Sequence, residues 1–148
     1  MMAPHLILRV VAKLLIPFIL VFGFYVHFHA KYAPGGAFQA GVILAAALIL
    51  YALIYGVDAA KAAVPPWAVR VTMALGAAIF SAVGFVTMAL GANYLDYTPL
   101  HPNLELARGQ YIGIVVVEIG VLMTVTAVII AIFYAFAGRS PEITEEEW

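Results

Sequence analysis

One acid lies inside a long apolar run. Glu118 sits within Tyr111 to Phe136, a stretch that contains no basic residue. Holding an ionised carboxylate at the centre of a membrane helix costs about 2.5–3.5 kcal/mol on insertion scales, taking the closely related Asp as the guide. Either a proton, a passing cation or a polar partner must offset that cost. Other chemistry-bearing residues are sparse. The four histidines, His5, His27, His29 and His101, have no paired ligand spacing on one helix face, and His27 and His29 point to different sides of one helix, against a shared proton relay. Cysteine is absent, which removes thiol catalysis, disulfides and Cys-ligated metal together. No nucleophile–base pair and no phosphate loop is recognisable, so the chain reads as neither an enzyme nor a cofactor carrier.

The elements that must position Glu118 are helices in a bilayer. Of 148 residues, 66% are hydrophobic and 10% charged, against about 25% charged in a soluble domain. The mean hydropathy is +1.06. Four apolar stretches are long enough to cross a core of about 30 Å: Leu6 to Phe28, Phe38 to Val57, Trp67 to Ala92 and Gln110 to Phe136. The expected fold is an all-α integral membrane protein, a single four-helix membrane domain over residues 1–148. The lipid bilayer is its solvent, and with a net charge of −1 and no basic stripe, nucleic acid is not a partner. Arg9 and Lys13 precede the first apolar core in the manner of a signal peptide, but no small-x-small cleavage site follows, so the segment reads as a retained helix.

Five of the seven Lys and Arg residues, Arg9, Lys13, Lys61, Arg70 and Arg139, fall on one side of this layout, leaving Lys31 and Arg108 on the other. By the positive-inside rule both termini are cytoplasmic. Tyr32, Tyr94, Tyr97 and Tyr111 on the outer side, and Tyr55, Trp67 and Tyr134 on the inner, are expected to anchor the interfaces. Asp58 to Pro66 and Asn93 to Gly109 read as loops. The acidic tail 139–148, with Glu142, Glu145, Glu146 and Glu147, reads as disordered or docked on a basic neighbour.

The first connection is the most distinctive. Pro34 and Gly35 fit the centre of a type II turn, Gly36 and Phe38 follow, and the second helix starts with unpaired N–H groups beside Gln39. It reads either as a tight turn alone or as a rigid joint lining a hydrated route, in which Gln39 and Glu118 are the ion or proton route candidates. Helix faces add a second pattern. Gly109, Gly113, Val116, Gly120, Ala127 and Ala131 share one side of the last helix, nearly opposite Glu118. Ala37, Gly41, Ala45, Ala52 and Gly56 do the same on the second helix, and Ala77, Ser81, Gly84 and Gly91 on the third. Small residues let backbones approach, so Gly113, Gly120 and Gly84 are expected at packing faces. Two sides of the last helix requiring cover imply an additional partner, and hence a subunit.

The segment Phe28-His29-Ala30-Lys31-Tyr32-Ala33-Pro34-Gly35-Gly36-Ala37-Phe38-Gln39-Ala40-Gly41 resembles the signature of the MnhB-like subunits of the multisubunit cation/proton antiporters called Mrp or Mnh. Val117-Glu118-Ile119-Gly120-Val121 and the four-helix layout are similar too, so the likeness covers nearly the whole chain. Ala37 departs from it, standing where the family often has a third glycine. The resemblance implies a complex of the prokaryotic plasma membrane exchanging Na⁺ or another monovalent cation for protons, with other antiporter subunits as partners. It maps Pro34, Gly35, Gly36, Phe38, Gln39 and Gly41 onto the signature and Glu118 onto the acid of the last helix. Related subunits occur in membrane-bound hydrogenase-type complexes. Three readings compete: a subunit whose Glu118 lines an ion or proton route, a purely structural subunit, and a self-sufficient small exporter. Small multidrug exporters carry their carboxylate in the first helix, and here that helix has none.

Overall fold

Uninterrupted apolar sequence in a bilayer has to satisfy its backbone internally, and helices do this. The computed structural model describes residues 6–29, 36–100 and 106–139. It contains α1 (Leu6–His29), α2 (Ala37–Tyr55), α3 (Val57–Ala63), α4 (Pro66–Ala89) and α5 (Leu106–Ala137), with one 3₁₀ turn at Thr98–Leu100. Among the described residues four helices, all but the short α3, are long and apolar enough to cross a membrane. Packing runs in the order α1, α2, α5, α4: α4 and α5 share the most extensive interface, and α2 lies between α1 and α5.

The interior is built from small side chains. Ala12, Ala37, Ala40, Ala45, Ala47, Ala52, Ala60 and Ala127 are buried, whereas α1 leaves most of its Leu, Val and Phe side chains exposed. One cluster joins Ala45 and Ala52 of α2 to Val69 of α4 and Ala127, Ile130 and Tyr134 of α5. A second joins Ala37 and Ala40 to Leu122. Early α2 residues therefore meet the middle of α5 and late ones its end, so the two helices run parallel.

The segment 58–66, expected as a loop, is largely the helix α3. Ala-rich sequence favours it, and Asp58 in its first turn and Lys61 in its last complement the helix dipole. The apolar pattern runs through this break unmarked. Only Gly56, at φ 95° and ψ 154°, a region open essentially to glycine, turns the chain from α2 into α3. Pro66 then starts α4 at a position where its missing N–H costs nothing.

Candidate functional site

Glu118 is half-buried on α5. Its neighbours one and two turns further along the same face, Leu122 and Val125, meet α2: the Val125 side chain and the Leu122 carbonyl abut Gly41. The Thr126 hydroxyl donates to the Leu122 carbonyl at 2.7 Å and lies 3.3 Å from that of Gly41. Parallel helices rise together at about 1.5 Å per residue, so the seven residues back from Val125 carry Glu118 to about 4–5 Å ahead of Ala37, the first residue of α2. The helix follows Gly36, which supplies no side-chain cap. The positive end of the α2 dipole is therefore the end nearer to the level of the carboxylate. Among the described residues, no hydrogen bond or ion pair to Glu118 is present.

Gln39 lies elsewhere. It is exposed, two residues from Gly41 and therefore turned roughly 160° from the face that meets α5. The structure does not bring Gln39 and Glu118 together. Phe38 is also exposed, at 62%. Pro34 and Gly35 lie outside the described residues, as do Lys31, His101, Glu105 and the acidic tail. Gly36 is described: its φ of −166° is ordinary extended backbone, and an added Cβ would meet nothing within 4 Å. Gly36→Ala should therefore leave the yield and thermal stability of the isolated chain unchanged, as read by detergent size-exclusion and melting. A fall in either would place an unseen contact inside this chain.

The glycine faces find cover within the chain. Gly120 of α5 crosses Gly76 of α4: a Cβ on Gly120 would stand 2.8 Å from the Gly76 carbonyl oxygen, and one on Gly76 would stand 2.7 Å from that of Gly120. Gly113 lies against the Tyr97 ring and Gly84 against the Tyr94 ring, so two tyrosines expected as interfacial anchors are caps over glycines. On α4 the sequence pattern pointed to Ala77 and Ser81, yet Ala77 is exposed and Gly76 makes the close approach. The inference of a partner from two uncovered sides of α5 consequently loses its premise, because α4 and α2 take one side each.

Thr87 and His27 were not legible as important. Thr87 is fully buried; its hydroxyl donates to the Gly84 carbonyl at 2.8 Å and accepts the Leu95 N–H at 3.1 Å, fixing the turn that aims Tyr94 and Tyr97. In the same turn Asp96 accepts the Thr98 hydroxyl at 2.7 Å and the Thr98 N–H at 3.2 Å. Those bonds, the hydroxyl first, hold its carboxyl below the usual range, while burial, then the nearby Tyr94, pushes the Tyr97 phenol up. His27 is 5% exposed on α1 with its Nδ1 unpartnered among the described residues. It lies one turn beyond Gly23, which abuts Leu44 and Ile43 of α2, and so faces α2.

Comparison with known proteins settles the family. Residues 7–131 match the family described as a domain related to the MnhB subunit of Na⁺/H⁺ antiporter. The chain belongs to this MnhB family. Proteins named "Putative antiporter subunit mnhB2" from Staphylococcus aureus strains Newman, JH1 and Mu3 are each 31% identical to it over 133 residues. The alignment covers 89% of this chain and 94% of each relative. The MnhB match takes in the Pro34–Gly41 segment, the Gly76–Gly120 crossing and Glu118. With four apolar helices it identifies a multi-pass membrane protein, a transporter subunit rather than an enzyme.

Proposed function

We propose that this MnhB-family chain is a small membrane subunit of a multisubunit monovalent cation/proton antiporter in a prokaryotic plasma membrane, in which Glu118 lines a proton or cation route completed by a neighbouring subunit. One observation carries the reading. Glu118 is half-buried in an apolar span, ahead of the start of α2, and among the described residues nothing of this chain pairs with it. An intramembrane acid without an internal partner is best explained by an external group or a transported ion. Gln39, exposed on another side of α2, is assigned to contact with a neighbour rather than to the surroundings of Glu118. The runner-up is a scaffold in which that neighbour supplies a fixed polar partner to Glu118.

The subunit reading is tested by co-purification and reconstitution. The other antiporter subunits should co-purify with this chain, and inverted vesicles should show cation-driven dissipation of a pH gradient only when it is present. A chain that isolates alone, or exchange that persists without it, would refute the reading.

Both termini are placed in the cytoplasm by the basic-residue bias. The absence of cysteine allows single-site labelling. Cysteine introduced at the exposed Ala62, beside the basic end, should resist an impermeant thiol reagent in intact cells and react in inverted vesicles. Cysteine at the exposed Asn93 should behave oppositely. Reaction of the Ala62 site from outside would reverse the orientation.

A further inference from the structure

A long apolar groove lies between α1 and α4, floored by α2 and α5, and the transport reading makes no use of it. Its volume is about 420 Å³. Ile16, Leu20 and Phe24 form one wall, and Ala63 with Thr72 contribute to the other. The hydroxyl carriers of the lining are Thr72, Thr126 and Tyr51, and Thr126 already donates to the Leu122 carbonyl. A wall of this kind suits hydrocarbon, not a polar solute.

The charge at the end of the groove selects its occupant. Arg9 and Lys13 fall within roughly 80° of Ile16, Leu20 and Phe24 around α1, so the groove wall continues into a basic stripe at its end. The Tyr55 hydroxyl donates to the Arg9 carbonyl at 2.7 Å and holds this end of α1 against α2. Arg9, Lys13, Lys61, Arg70 and Arg139 gather at this end of the bundle, and Asp58 is the one acid there among the described residues. Basic groups beside a groove between membrane helices are suited to an anionic headgroup.

We propose that the groove holds one acyl chain of an anionic phospholipid whose phosphate is bound by Arg9 and Lys13. The test uses the full chain, purified in mild detergent with whatever subunits accompany it. It is titrated with dioleoylphosphatidylglycerol or dioleoylphosphatidylcholine and read by native mass spectrometry. Wild type should retain a phosphatidylglycerol under conditions that strip phosphatidylcholine. An Arg9→Gln/Lys13→Gln double variant, altered only at exposed side chains, should weaken retention at least about tenfold. Ala63→Phe, also at an exposed position, should fill the groove and abolish retention with both basic residues intact. Equal retention of the two lipids by wild type overturns the proposal. So does unchanged phosphatidylglycerol binding in the double variant, as expected if the acidic tail rather than lipid meets the stripe. Loss in the double variant with retention in Ala63→Phe overturns it too, because the headgroup patch would then act without the groove.

Discussion

Glu118→Gln should reduce cation/proton exchange to background while the complex assembles at wild-type yield. Glutamine has nearly the same volume and keeps a carbonyl oxygen, so packing at the α2–α5 contact is preserved. What it lacks is an exchangeable proton and a negative charge. If Glu118 carries a proton or balances a passing cation, either loss suffices. Glu118→Asp, which restores both on a shorter stem, should recover part of the rate. Glu118→Ala should assemble and be as inactive as Gln, since among the described residues no hydrogen bond to the carboxylate is present for Ala to break. The measurement is dissipation of a pH gradient by added cation in inverted vesicles, with subunit content quantified. Wild-type rates in Glu118→Gln, together with poor complex yield in Glu118→Ala, would assign Glu118 to scaffolding and defeat the transport role.

The four spans were legible because bilayer thickness sets a length that apolar runs either reach or miss. The small-residue faces were legible on α5, where Gly113 and Gly120 are buried, because a 3.6-residue period marks a side. What the period cannot mark is the identity of the partner. Gly84 and Gly113 are covered by tyrosine rings carried on a connection, and those rings are aimed by Thr87, whose role depends on a carbonyl in its own helix and an N–H eight residues on. Gly76 escaped notice for a related reason: it sits one residue from the stripe of Ala77 and Ser81, and the crossing angle of two helices, not the composition of one, decides which small residue is nearest. Similarly, Gln39 and Glu118 looked like members of one pocket because both are polar in apolar surroundings. Their separation follows from the rotation of α2 about its axis, which Gly41 fixes against Val125.

Gly120→Leu should be the most damaging substitution for the chain itself, and its effect should appear before any partner is present. The atoms facing an added Cβ are the Gly76 carbonyl oxygen at 2.8 Å and the Phe80 nitrogen at 3.1 Å. Backbone cannot rotate aside as a side chain can, so the helices must part. Overpacking by a single methyl costs about 1–3 kcal/mol, which exceeds the gain of about 1 kcal/mol from removing a helical glycine; Gly120→Ala should therefore destabilise modestly. Leucine adds three more carbons at the same crossing and should separate α4 from α5. Because α5 also holds α2, the α2–α5 contact beside Glu118 would loosen with it. The isolated chain in detergent should lose its cooperative melt and elute as aggregate, although the substitution stays apolar and membrane insertion is retained. Gly36→Ala, which meets no atom, serves as the control. A Gly120→Leu chain that melts like wild type but fails to co-purify with other subunits would move the Gly120 face from the interior of this chain to a subunit interface.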